Sequence, residues 1–230
     1  MKRQNASIIL AGAVVLAAGT RFAGATPTMR ISDGSIANTF TVVDDTPADG
    51  SMVAGVVLFS GTFGNWIITV NTGVTMPAAG SATNPFMDLN FIATSNSSGG
   101  TLTVEFSEIG FGPMAVGLNY EIAIGGTTQG TVACTTLVDV TNGLFGVPGG
   151  TSIGSQTFSG GAYACEIGAP GTTSSPFSLT KRVTITHLSG AIRTSSGDSQ
   201  LAVPDGGATV ALFGVSLLGL GALRRKFSNR

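Results

Sequence analysis

Residues 101–109 read Thr101-Leu102-Thr103-Val104-Glu105-Phe106-Ser107-Glu108-Ile109. Leu102, Val104 and Phe106 fall on one side of a two-residue period, and Thr103 and Glu105 fall on the other. Side chains of an extended chain point alternately to opposite faces, so this pattern describes a strand with one face in a core. Lys181-Arg182-Val183-Thr184-Ile185-Thr186-His187 repeats the behaviour eighty residues later. Working outward from these two runs, strands are expected near 38–43, 52–60, 65–71, 86–94, 101–109, 119–124, 130–140, 155–167, 177–188 and 200–203. Between them lie turn-forming pairs: Asp49-Gly50, Ser98-Gly99-Gly100, Gly125-Gly126, Asn142-Gly143, Gly149-Gly150, Gly160-Gly161 and Ser196-Gly197. No stretch of the body combines a helical period with caps. About ten short strands at even spacing predict an all-β, antiparallel two-sheet sandwich of jelly-roll-like character over residues 26–202.

The composition supports that reading. Charged residues make up only 10% of the chain, against about 25% in ordinary soluble domains. Seven of the eleven basic residues sit at the two ends. The body between them holds four basic and eleven acidic residues, a net charge of about −7. A body this acidic has no patch for phosphate backbones, so nucleic acid is excluded as a partner.

Residues 1–25 have the order of a secretory signal peptide. Lys2 and Arg3 lead, an apolar run follows from Ala6 to Gly19, and Ala23-Gly24-Ala25 forms a small-x-small cleavage site. Signal peptidase is therefore an expected partner, with Thr26 as the new N-terminus. The other end has an order of its own. Val203-Pro204-Asp205-Gly206-Gly207 precedes sixteen uncharged residues, 208–223, and then Arg224, Arg225 and Lys226. As a helix the sixteen residues span about 24 Å, short of a hydrocarbon core of about 30 Å but within reach of local thinning. The basic cluster stays cytoplasmic by the positive-inside rule. The two ends agree on one topology, with the body outside.

A Pro-containing motif, an apolar helix and a basic tail at the extreme C-terminus resemble the PEP-CTERM class of sorting signals. Val203-Pro204-Asp205-Gly206-Gly207 is similar to the Val-Pro-Asp-Ser-Gly variant, with Gly206 in place of Ser. The resemblance implies processing by an exosortase, transient anchoring in the inner membrane, and delivery to the cell surface among exopolysaccharide and biofilm. Gly206-Gly207 also resembles the GlyGly-CTERM signal of rhombosortases, in which Val203-Pro204-Asp205 has no part. Neither resemblance says what the body does.

The body offers few groups for chemistry. His187 is the one histidine. With Ser and Asp it would complete a triad, but no Gly-x-Ser-x-Gly elbow accompanies it. One histidine also excludes a His-based zinc cluster. Glu105 and Glu108, three apart in a strand, should face opposite ways, which is poor geometry for a glycosidase pair. Asp33, Asp44, Asp45 and Asp49 share one polar segment and carry the oxygen ligands Ca²⁺ prefers, but no loop matches a full calcium motif. No catalytic residue, metal site or cofactor is therefore expected. Cys134 and Cys165, in an exported chain, predict a disulfide that would stabilise by roughly 3–4 kcal/mol through loop closure. Trp66 opens a strand. Exposed, it would stack on a sugar ring of an extracellular polysaccharide; buried, it would fill the core. The expectation is a non-enzymatic surface or matrix protein, with a carbohydrate-binding or adhesive module as one alternative and a plain C-terminally anchored surface protein as another.

Overall fold

The computed structural model describes residues 26–34 and 38–204. The expected signal peptide (1–25), the motif residues Asp205, Gly206 and Gly207, the helix 208–223 and the basic tail 224–230 lie outside the described residues. Ten strands follow one another: β1 Thr28–Ser32, β2 Thr39–Val43, β3 Val56–Phe63, β4 Trp66–Val74, β5 Met87–Ser95, β6 Gly100–Phe111, β7 Asn119–Asp139, β8 Thr151–Pro170, β9 Phe177–His187 and β10 Arg193–Ala202. A single 3₁₀ turn, Leu144–Gly146, joins β7 to β8. Every pairing is antiparallel.

The strands form one hydrogen-bonded sheet in the order β2-β1-β6-β9-β7-β10-β5-β4-β3, with β8 on the far side of β7. The expected two separate sheets are thus two leaves of one sheet that doubles over. The cause is the length of β7. Its residues Thr131 to Asp139 pair with β9, while Glu121 to Thr128 pair with β10. The strand runs through both leaves and bends at the irregularity between Thr128 and Thr131. β8 follows it and turns at Gly160 and Gly161, whose φ values of 67° and 72° are open to glycine at little cost. The β5–β6 turn and the β9–β10 loop cross at the same level, since Ser95 pairs with Arg193 and Gly100 with His187.

The leaves face each other across one core. Leu102, Val104 and Phe106 of β6 are fully buried, as their alternation requires. Phe106 lies flat against Gly73 of β4 on the opposite leaf, where an added Cβ would come within 2.4 Å of its ring.

Two sequence expectations fail at identifiable places. The runs 119–124 and 130–140 are one strand, because Gly125-Gly126 is not a turn. A Cβ on Gly126 would meet the Ser196 carbonyl at 2.2 Å and the Tyr163 hydroxyl at 2.7 Å. The glycine makes room for Tyr163, which donates to the Ser196 carbonyl at 3.1 Å. β1 was not expected at all. It is five residues long and is held by pairing with both β2 and β6 rather than by its own pattern.

Candidate functional site

The sorting motif starts where the sheet ends. β10 stops at Ala202 after pairing on both sides, Leu201 with Met87 of β5 and with Ile122 of β7. Val203, the first motif residue, is still packed in the core at 7% exposure, and Pro204 is exposed. The chain therefore leaves the body from an internal strand, and the motif spans the step from core to solvent.

At the level where the sheet doubles over, a buried polar chain joins the crossing segments. His187, 2% exposed, closes β9. Its Nδ1 lies 2.8 Å from Ser95 Oγ at the end of β5, and its Nε2 2.8 Å from Ser195 Oγ near the start of β10. Ser195 continues to Thr128 Oγ1 of β7 at 2.6 Å, and Thr128 accepts the Gly130 N–H at 3.0 Å. Burial, then the nearby Arg193 charge, holds the His187 pKa below the usual histidine range. The ring is neutral, donating from one nitrogen and accepting at the other. With both nitrogens committed to buried serines, His187 braces the crossing segments from inside.

Trp66 belongs to the same brace. It is 1% exposed, and its indole packs against His187 in a tilted ring contact with centroids 4.7 Å apart. The proposed sugar contact at Trp66 is corrected accordingly: a ring enclosed between β4 and β9 cannot meet a polysaccharide.

The carboxylates separate as their spacing requires. Glu105 points outward from β6 and is gripped by the two residues opposite it. Arg30 Nη2 of β1 lies at 2.5 Å, and Arg182 Nε of β9 at 2.8 Å. Arg30 also lies 4.0 Å over the Phe145 ring. Glu108 points inward and is fully buried. Burial raises its pKa to about 8. The Thr75 hydroxyl lies 2.5 Å from Glu108 Oε2 and 2.9 Å from the Phe86 carbonyl. A carbonyl only accepts, so Thr75 gives its proton there and Glu108, protonated, donates to Thr75. Lys181 is likewise sealed in the core at 0% exposure, its Nζ donating to Thr136 Oγ1 at 3.1 Å, and burial lowers its pKa to about 7. Of the acids weighed for calcium, Asp44 accepts from the Gly55 N–H at 2.7 Å, Asp49 from the Ser51 and Leu58 N–H groups, and Asp33 from Asn38. Among the described residues no three His, Cys, Asp or Glu side chains converge as a metal site would need.

The expected disulfide is absent. Cys134 and Cys165 are free thiols. They lie on neighbouring strands, but Cys134 pairs with Gln156 and Cys165 with Ile124. At about 3.3 Å per residue that register leaves them roughly 30 Å apart along the β7–β8 ribbon, beyond the 7 Å limit for a bridge. The oxidising compartment suggested a bridge; the register of the two strands keeps the thiols apart.

Several surface concavities remain. A cleft of about 620 Å³ opens where the sheet's outer strands β2 and β3 approach each other. Phe40, Phe59 and Phe63 line it beside Asp33, Asn38 and Thr62. Phe40 is 38% exposed and sits 5.2 Å from the Phe59 ring. Another, of about 630 Å³, is lined by Phe91 and Ile92 beside Asn90, Ser196 and Asp198. On β5, burial, together with Asp198, raises the Asp88 pKa to about 7. Sequence reasoning missed the cleft, because its aromatic rings come from two edge strands, not paired to each other, that only the fold brings together.

Residues 202–227 match the profile of the VPDSG-CTERM motif. The chain thus carries this PEP-CTERM-like sorting variant, as its terminal residues suggested. The match covers the tail alone and leaves the body unassigned. No curated protein matches the chain. Among solved structures, TmCBM61 in complex with beta-1,4-galactotriose aligns with 10% identity and a TM-score of 0.30, covering 63% of this chain and 92% of that one. A chain from a study of carbohydrate-binding modules of the beta-sandwich super family aligns at 12% identity and TM-score 0.28, over 78% and 84% of the two chains. A chain of infectious bursal disease virus, Gx strain, aligns at 17% identity and TM-score 0.31, over 88% and 55%. Scores near 0.3 are too low to transfer an architecture or a ligand to this chain.

Proposed function

We propose that this chain is an exported surface or matrix protein whose C-terminal VPDSG-CTERM segment is read by an exosortase, and whose β-rich body acts without catalysis. The observation that carries the reading is the placement of the motif. It begins at the last residue of an internal strand and ends in a basic cluster. A cut beyond Pro204 removes the apolar segment and leaves every strand of the body paired. The signal peptide exports the chain, signal peptidase trims it, and the tail holds it in the inner membrane until it is processed. The body, a doubled-over sheet of jelly-roll-like sandwich form, then joins exopolysaccharide or biofilm at the surface. Cell fractionation of Asp205→Ala and Pro204→Ala variants tests this. Accumulation of an uncut membrane-bound precursor is expected. Processing at the wild-type rate in both variants would contradict recognition through this motif.

A second reading, a carbohydrate-binding or adhesive module, is favoured by the β2–β3 cleft. Its exposed Phe40 beside polar Asn38 and Thr62 combines a stacking surface with hydrogen-bonding groups. Pull-down on insoluble polysaccharide that is saturable in the wild type and lost in Phe40→Ala, with the fold intact, would support it. Unchanged binding in that variant would remove the cleft from consideration.

A further inference from the structure

The β2–β3 cleft has a charge as well as a shape, and the charge narrows what it can hold. Phe40 of β2 and Phe59 of β3 meet at 51° with centroids 5.2 Å apart, so they form a corner rather than a flat shelf. Phe40 is 38% exposed. Gly61 lies beside the tip of the Phe59 ring, where an added Cβ would come within 3.3 Å of it, and a larger residue there would crowd the corner. Aromatic faces take the apolar face of a sugar ring, and they also attract cations. Asp33, Asn38 and Thr62 line the same cleft, and Asn38 Nδ2 donates to Asp33 Oδ2 at 2.8 Å. Asp33 is the one charged side chain among the described residues that line it.

The four cations of the body are placed elsewhere. Arg30 and Arg182 are gripped by Glu105, and Lys181 is sealed in the core. Arg193 donates to the Leu188 and Gln129 carbonyls, on a strand three places from β3 in the sheet. Residues 26–202 carry four basic and eleven acidic side chains. A polyanionic chain, rich in uronate or sulfate, needs Arg or Lys at its site; here it meets a carboxylate inside a negative field. A sugar chain that carries ammonium groups meets the complementary charge, and the same aromatic corner that takes its ring also attracts its cation.

We propose that the cleft takes an amine-bearing polysaccharide of the glucosamine type, with a pyranose ring in the Phe40–Phe59 corner and its ammonium group toward Asp33. This rests on the carbohydrate-binding reading of the cleft and adds the charge class of the sugar.

The test titrates the full exported chain, in mild detergent at mildly acidic pH, with oligosaccharides of equal length: a glucosamine chain, its N-acetylated counterpart and a uronic acid chain. The glucosamine chain should bind best, the N-acetylated chain roughly two- to fivefold more weakly, and the uronic acid chain not at all. The preference for the amine should shrink as salt rises. Asp33→Asn leaves an oxygen for Asn38 to bond and should erase that preference without changing the N-acetylated affinity. Glu166→Gln removes the same unit of charge from an exposed site on β8 and should keep it. Urea unfolding followed by Trp66 fluorescence verifies that the variants keep the fold. Equal affinity for the amine and N-acetylated chains, binding of the uronic acid chain, an equal loss in Glu166→Gln, or competition by oligolysine as strong as by the sugar would overturn the proposal. Phe40→Ala separates it from the reading beneath it. If Phe40→Ala abolishes binding of the N-acetylated chain while Asp33→Asn changes nothing, the cleft binds sugar without selecting charge and the proposal alone fails. If Phe40→Ala changes the binding of no oligosaccharide, the cleft reading fails with it.

Discussion

Replacing His187 removes the brace at the level where the sheet doubles over, and the cost can be assembled from its contacts. His187→Ala leaves the Ser95 hydroxyl, fully buried, without its partner at 2.8 Å; an orphaned buried polar group costs about 1–3 kcal/mol. Ser195 loses the ring but keeps Thr128 at 2.6 Å, so its penalty is smaller. The tilted ring contact with Trp66 contributes a further ~1 kcal/mol, and the space left by the ring adds a cavity term. The expected loss is about 3–5 kcal/mol. His187→Phe keeps the ring contact and loses only the hydrogen bonds, for about 2 kcal/mol. Trp66 is the only tryptophan and touches the ring itself, so urea unfolding read by its fluorescence reports on the site directly. Protonation provides a second readout. The folded pKa lies below the ordinary histidine value of 6.5. Above pH 6.5 the neutral ring's contribution is fully present, and it is lost as pH falls from 6.5 toward the folded pKa, because the unfolded chain then binds the proton first. The gap between wild type and His187→Phe should therefore narrow below pH 6.5. A loss under ~1 kcal/mol in His187→Ala, or a gap that stays constant with pH, would refute the brace.

Other perturbations probe separate parts of the account. Gly73→Ala should destabilise by about 1–3 kcal/mol in thermal or urea unfolding, because its Cβ is driven into the Phe106 ring of the opposite leaf; an unchanged midpoint would mean the leaves do not face each other there. Denatured protein kept free of reductant should label at both cysteines, while the native state should label at half-buried Cys165 and spare Cys134, whose thiol burial raises to about 11. Burial raises the folded pKa of Glu108 to about 8, against the ordinary glutamate value of 4.5, so its contribution to stability is fully present below pH 4.5 and declines until about pH 8. Glu108→Gln should remove that part of the pH dependence and gain on the wild type between pH 5 and 8, as measured by urea midpoints.

The strands were legible where one face meets the core and the other meets solvent. Residues 101–109 and 181–187 alternate because β6 and β9 lie inside a leaf, and the structure keeps both. Continuity was not legible. Gly125-Gly126 has the composition of a turn, and only the position of Tyr163, nearly forty residues on, shows that the glycines serve close approach. β10 was expected from residue 200 and begins at Arg193, since Thr194, Ser195 and Ser196 take their strand form from neighbours on both sides rather than from their own pattern. The outward and inward directions of Glu105 and Glu108 followed from period-two geometry. The pairing of Arg30 with Glu105 did not, because β1 carries no signal of its own. The cysteines failed for a related reason: separation along the chain says nothing about offset along a ribbon. The tail was the most legible part, since its order of motif, apolar run and basic cluster needs no tertiary context to be read.

The central claim is that the tail is a temporary anchor cut at the boundary of the folded body. Intact-mass and C-terminal peptide mass spectrometry of the surface-associated protein tests it most directly. A mature form beginning near Thr26 and ending within residues 203–207, with β10 complete, is the predicted result. A surface form that still carries residues 208–223 would contradict the claim and make the tail a permanent membrane anchor.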